Sequence, residues 1–251
     1  MRAIILAAGR GSRLQQAQPL PKCLLRFDGV TLLERHLILL KQAGVDQIVL
    51  VLGFRRDMVL AELDRIGWRP QPEVVLNERY ELGSVLTVHA AADALTRGGD
   101  VLLMDADVLY DRRTLAALVA GARSASRLLI DRDFEAGDEP VKLCLRDGVP
   151  VELRKQIASD LRYDSVGESV GFFRLDPSAA RRLADLAGAY VGSGRATAPH
   201  EEALRDLLLE GGRTFEVADV TGSPWIEIDF PDDVTRATRD VLPRLQALAT
   251  S

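Results

Sequence analysis

The chain has 251 residues, 47% hydrophobic and 27% charged, with a formal net charge of −5. That is enough apolar material for one large α/β domain with a sizeable core, and the acidic balance argues against a nucleic-acid duplex or an anionic membrane as the main partner. No apolar stretch approaches the ~20 residues of a membrane span, and Met1 leads into a strand without a leader pattern. The expectation is a cytoplasmic protein with no membrane insertion. Cys23 and Cys144 have neither zinc-ligand spacing nor disulfide density, so both are read as small buried or half-buried residues.

In chain order, the first strand runs from Ala3 into Leu6-Ala7-Ala8-Gly9-Arg10-Gly11-Ser12-Arg13-Leu14, with Pro21-Lys22 shortly after. Two glycines among small residues let the backbone turn tightly and bring its N–H groups close to an anion. Arg13 and Lys22 add two positive charges at the same strand end. A dinucleotide fingerprint would want glycine in place of Leu14, and a P-loop would want Gly-Lys-Ser/Thr; neither is present. A plain glycine-rich turn with solvated basic side chains is the bland alternative. Thr31 then caps a helix with the stripe Leu32, Leu33, Leu37 and Leu40, ending near Gly44. Ile48 to Leu52 is read as a strand, Asp57 to Ile66 as a helix and Glu73 to Leu76 as a short strand.

A polar loop from Asn77 precedes a helix over Val85 to Leu95. Gly83 and Ser84 at its start offer backbone N–H groups to a ligand, although on chemistry alone Ser84 reads first as a plain N-cap. The next strand, from Val101, ends in Asp105-Ala106-Asp107, two carboxylates at the same sheet edge as the glycine loop. Such a pair is equally a loop former. A helix over Arg112 to Arg123 and a strand over Arg127 to Ile130 continue the alternation. A meander of Val141 to Arg146, an Asp147-Gly148 turn, Val149 to Lys155 and Ser169 to Leu175 then breaks it. The loop Asp131 to Glu139 carries five acids against one base and is either solvated or turned toward a cation. Helices over Ser178 to Leu186 and Pro199 to Glu210 and a strand over Phe215 to Val220 lead to Trp225-Ile226-Glu227-Ile228-Asp229. Alternation there puts Trp225, Glu227 and Asp229 on one face. The three histidines, His36, His89 and His200, have no ligand spacing, and Ser-His-Asp chemistry has no support. The expected fold class is α/β, a mostly parallel mixed sheet flanked by helices, Rossmann-like, with a small strand-rich lobe.

Leu6-Ala7-Ala8-Gly9-x-Gly11-x-Arg13-Leu14 with Pro21-Lys22 resembles the signature of the nucleotidyltransferase family that activates sugar and alcohol phosphates. Asp105-x-Asp107 resembles its metal motif. The stretch from Trp225 to Asp229, followed by Pro231-x-Asp233, is similar to the alcohol-phosphate cytidylyltransferases acting on phosphocholine, aminoethylphosphonate or polyol phosphates. The resemblance implies one nucleotidyltransferase domain over 1–251, with a nucleotide-binding half at 1–130 and an acceptor-binding half at 131–251. It implies Mg²⁺ on Asp107 and Asp229, Arg13 and Lys22 as catalytic groups on the triphosphate, and the glycine loop, Gly83, Ser84 and Asp105 around the nucleotide. Lys155, with Lys142 as rival, would reach the acceptor phosphate, and Trp225, Asp133 and Glu227 would contact the acceptor. CTP is the expected donor. A sugar-1-phosphate transferase using UTP, GTP or dTTP, and a non-catalytic nucleotide sensor, remain as alternatives; the oligomeric state, a homodimer included, stays open.

Overall fold

β1 (Arg2–Ala7) alternates between two core layers, with Ala3 and Ile5 fully buried on one side and Ile4 on the other. The computed structural model, which describes residues 1–14, 20–121, 125–135, 137–212 and 215–248, builds outward from this strand. A single 3₁₀ turn at Lys22–Leu24 and a hairpin of β2 (Arg26–Phe27) and β3 (Val30–Thr31) lead into α1 (Leu32–Gln42). Thr31 caps α1 as read, its hydroxyl accepting the Glu34 N–H at 3.1 Å, and Leu32, Leu33, Leu37 and Leu40 are buried. β4 (Gln47–Leu52), α2 (Arg56–Ile66) and β5 (Glu73–Leu76) follow as the sequence indicates.

The helix expected over Val85 to Leu95 is two pieces, α3 (Val85–Ala90) and α4 (Ala92–Thr96). The backbone leaves helical geometry at the buried Ala91 (ψ 6°), and each piece packs separately on the later helix Pro177–Gly192. β6 (Val101–Asp105), β7 (Val108–Tyr110), α5 (Arg112–Val119) and β8 (Ser126–Asp131) come next; α5 stops short of the expected Arg123, because the backbone is extended at Ala120 (ψ 168°) and left-handed at Gly121 (φ 91°), and Arg123 itself lies outside the described residues. β9 (Lys142–Arg146) and β10 (Val149–Arg154) form the expected hairpin through Asp147 (φ 51°) and Gly148 (φ 75°), two left-handed residues that suit a tight hairpin turn. β11 (Ser165–Leu175), α6 (Pro177–Gly192), α7 (His200–Leu209), β12 (Phe215–Asp219), β13 (Trp225–Glu227) and α8 (Pro231–Arg236) follow, and a π turn at Ala237–Val241 and a 3₁₀ turn at Leu242–Arg244 end the order. α6 runs past Leu186 because Ala187 and Tyr190 continue its buried face.

β5, β4, β1 and β6 are parallel, in that spatial order. β11 then runs antiparallel to β6, β8 and β9, and β12 adds to β8 in parallel. The register of β11 on β8 breaks between Ser169 and Phe173, around Gly171 (φ 78°), so one long strand serves both the parallel sheet and the lobe. Apart from this sheet, β7 and β13 form an antiparallel ribbon pairing Trp225 with Tyr110 and Glu227 with Val108. The ribbon carries two segments far apart in sequence to one place. Among the described residues no helix is long and apolar enough to cross a membrane.

Candidate active site

The carboxyl ends of β1 and β6 open on a cavity of about 360 Å³, where open α/β sheets bind their ligands. Leu6, Ala7, Ala8, Gly9 and Gly11 line it. The loop is held by the next strand's exit: the Phe54 N–H donates to the Ala8 carbonyl at 3.0 Å, and a Cβ on Gly53 would stand 2.8 Å from that same oxygen. Gly11 is left-handed (φ 61°), and a Cβ there would lie 3.0 Å from Lys22 Cγ. Glycine at 11 therefore provides both the turn and the room for the lysine stem.

Lys22 reaches into this cavity from its 3₁₀ turn, with its side chain only 15% exposed. Its ammonium donates to Asp107 Oδ2 at 2.8 Å and Asp229 Oδ1 at 2.6 Å. Burial opposes the charge, but the two carboxylates prevail and raise the lysine pKa above its ordinary range. Asp229 is likewise held below the usual carboxylate range: burial would raise it, and the Lys22 charge and hydrogen bond overcome that. The ribbon explains the convergence, because the Ile228 N–H donates to the Asp107 carbonyl at 3.0 Å. Ile228 itself is fully buried, and Ile226 packs against the same small core, leaving Glu227 and Asp229 toward the cavity as alternation predicts.

Oxygens of Asp107, Glu227 and Asp229 lie within 4.8 Å of one another. An all-carboxylate set suits a hard cation such as Mg²⁺, so the residues fit the metal the sequence implies, with Glu227 as a third donor beyond the two expected. Glu227 keeps surface open to solvent, yet the protein atoms crowded around its carboxyl, then the charges of Asp107 and Asp229, push that group above its usual range. Asp105 is shifted the same way by burial and by Asp107. Its carboxylate lies where a Cβ on Gly171 would come within 2.5 Å, so the glycine at the break in β11 leaves room for it.

The other expected residues divide. Ser84 lines the cavity but makes no side-chain cap on α3; its hydroxyl accepts the His200 N–H at 2.8 Å and so serves the start of α7 instead. Gly83 does not border the cavity. A Cβ there would come within 2.6 Å of the Ala196 carbonyl, and close packing is what requires glycine. His200, set aside on spacing, is brought into the cavity with Nδ1 3.1 Å from Ser84 Oγ and Nε2 3.5 Å from Asp105 Oδ1. The second separation is too long for the hydrogen bond a nucleophile relay needs. Glu201 also lines the cavity and was missed. Lys155 lines it and pairs with Glu139 at 3.1 Å; the same Glu139 oxygen accepts from Arg13 at 2.8 Å. Lys142, the rival, donates to the carbonyls of Gly137 and Lys155, both at 2.6 Å, and does not line this cavity. Arg13 also stacks over the Phe230 ring at 5.2 Å. Both cysteines are buried as expected, and burial pushes the Cys23 thiol up to about 12.

Across Glu227 and Asp229 lies a second cavity, of about 550 Å³, bordered by Asp131, Asp133, Phe134, Glu168, Trp225 and Phe230. Its acids are not all solvated: Asp131 accepts the Trp225 indole N–H at 2.7 Å, and burial followed by the Asp131 charge pushes the Glu168 carboxyl up to about 7.

An α/β sheet that gathers cations and carboxylates at the carboxyl ends of its parallel strands has the charge pattern that suits a nucleotide's phosphates, and the chain carries a domain of the nucleotidyltransferase class. More particularly, the chain belongs to the MobA-like NTP transferase domain family, whose model matches residues 3–170. It is 30% identical over 256 residues to the CMP-5'-(3-aminopropyl)phosphonate synthase of Streptomyces rubellomurinus, covering 94% of this chain and 38% of that protein. It is 30% identical over 252 residues to the bifunctional IPC transferase and DIPP synthase of Rubrobacter xylanophilus, covering 96% and 52%. The chain thus spans about half or less of the length of these curated relatives. The inositol-1-phosphate CTP transferase from T. maritima has the same fold, with a TM-score of 0.77 over 98% of both chains at 22% identity.

Proposed function

We propose that the chain transfers a cytidylyl group from CTP to a small phosphorylated alcohol or phosphonate, with Mg²⁺. An acceptor oxygen attacks the α-phosphorus, the α–β phosphoanhydride bond breaks, and pyrophosphate leaves with the bonding pair. The observation that carries the reading is Lys22 set between Asp107 and Asp229 at the glycine-lined mouth. Little covalent work falls to the protein, so positioning and charge neutralisation must supply the rate. Lys22 and Arg13 hold the triphosphate, and the backbone N–H groups of the glycine loop face it. Ser84 lies at the nucleoside side, with Gly83 shaping its loop. Asp107 and Asp229, with Glu227 in reach, would hold the Mg²⁺, which would neutralise phosphate charge when bound. Lys155 orients the acceptor's phosphate, and Trp225, Asp133 and Glu227 border its head group.

CTP is favoured because one relative is named for a CMP-phosphonate product and a fold neighbour for CTP. The acid-rich second cavity, with aromatic edges from Trp225, Phe134 and Phe230, favours an acceptor with a cationic head group. A pyrophosphate-release screen of CTP, UTP, GTP and dTTP against phosphocholine, 2-aminoethylphosphonate, polyol phosphates and sugar 1-phosphates tests this. Turnover of CTP with an alcohol phosphate or phosphonate is expected. Preference for another triphosphate with a sugar phosphate would overturn it.

A further inference from the structure

We infer that Asp131 is a positioning residue for the acceptor, acting through the Trp225 ring. Asp131 ends β8, a strand held between β11 and β12 in the main sheet, and it is only 7% exposed. Trp225 opens β13, which lies in the separate ribbon and leads to Glu227 and Asp229. The indole N–H donates to Asp131 Oδ2 at 2.7 Å, and the Asp133 backbone N–H donates to Asp131 Oδ1 at 2.9 Å. One carboxylate on the sheet therefore fixes both an aromatic wall of the second cavity and the start of the acidic loop that borders it.

The sequence placed Asp131 in an acidic loop that is either solvated or turned toward a cation. The geometry gives it a different part. Both of its oxygens take N–H donors from the protein, so this carboxylate holds the wall and leaves direct contact with a head group to its neighbours. A charge-assisted hydrogen bond of this length is of the strong kind. An indole that is half-buried, with one polar handle, turns toward whatever holds that handle. Without Asp131 the ring keeps its packing against the core beneath it but loses the anchor that sets its edge toward the cavity.

The inference rests on reading the second cavity as the acceptor site. The experiment measures KM for CTP and for whichever of phosphocholine, 2-aminoethylphosphonate or a polyol phosphate the wild type turns over fastest. The variants are Asp131→Val, Asp131→Asn, Trp225→Phe and the Asp131→Val/Trp225→Phe double. Asp131→Val is expected to raise the acceptor KM at least tenfold and leave the CTP KM within twofold. Asp131→Asn keeps an oxygen for the indole and is expected to stay within threefold of wild type. Trp225→Phe, which lacks the N–H, should match Asp131→Val, and the double variant should be no worse than the worse single, the signature of two residues acting as one. The chain has two tryptophans, so the two indole ¹H–¹⁵N signals report the bond directly: the Trp225 signal, identified by its loss in Trp225→Phe, should move in Asp131→Val. If Asp131→Val does not fold, Trp225→Phe beside Asp131→Asn carries the comparison. An unchanged acceptor KM in Trp225→Phe, or penalties that multiply in the double variant, would overturn the inference while turnover continues. A wild type that turns over no acceptor removes the functional reading, and the inference with it.

Discussion

The two cavities are built in different ways. The one at the end of β1 sets a short contiguous loop with small side chains, tied to β4's exit by Phe54 N–H and relieved of side chains at Gly11 and Gly53, against a floor of charged side chains. The one across Glu227 has no such loop, and its walls are mostly side chains from the acidic loop, β11, β13 and α8. A backbone cradle recognises what every nucleoside triphosphate shares. A side-chain wall can be changed one residue at a time, so on the proposed function it is where acceptor choice would vary without disturbing phosphate handling. Variants that cripple turnover with every acceptor should therefore map to the first cavity and its carboxylate floor, and variants that shift preference should map to the second.

The largest effect is expected at Lys22. Lys22→Ala removes a preorganised charge and should lower pyrophosphate release by about 10²–10³ with any acceptor, while the thermal melt shows a folded protein. Wild-type turnover would take Lys22 out of the mechanism. Next come Asp107→Asn and Asp229→Asn, each expected to raise the Mg²⁺ needed for half-maximal rate about tenfold or more, because an amide is a poor ligand for a hard cation. Mg²⁺ titrations that superpose on wild type in both variants would refute the metal floor.

The second cavity should show itself in stability before it does in rate. Glu168 has a folded pKa near 7 against an ordinary 4.5, so the fold favours its neutral form; that stability is fully present below about pH 4.5 and is lost as the pH rises through 7. Glu168→Gln stays neutral and should gain on wild type at pH 8 relative to pH 5, by about 1–3 kcal/mol in denaturant unfolding. Equal differences at the two pH values would mean the carboxyl is not strained. The smallest effect belongs to Asp133→Asn, at an exposed position on the cavity rim. It should lower the specificity-constant ratio of phosphocholine to a polyol phosphate by about twofold to fivefold, and the change should fade as salt screens the charge. An identical ratio in both proteins would remove the charged-rim idea.

The same division explains what could be read from the chain. The glycine loop, Lys22, Asp105 and Asp107 lie within or near strands whose apolar runs announce them, and Trp225 to Asp229 shows its faces by alternation. The β7–β13 ribbon left no such mark, since Val108–Tyr110 is too short for a period to register. His200 and Glu201 open a helix that reaches the site only through tertiary packing, and spacing in sequence is blind to that. Lys142 and Lys155 look alike on a hairpin, and only the carbonyls that take the Lys142 ammonium separate them. One signal was available and unused: Gly171, within an otherwise strand-like run, marks the bend in β11 that makes room for Asp105.

Lys22 between Asp107 and Asp229 also makes the mouth of the site an exchange of partners. The ammonium has shed most of its water in folding, so an incoming phosphate meets a charge with little hydration left to displace. An anion that took the ammonium alone would strand two carboxylates, and a divalent cation that took the carboxylates alone would strand the ammonium. Only the two arriving together leave each of these three charges with a counterpart, so on the proposed function the site would favour a metal-bearing triphosphate over the free anions and free cations around it.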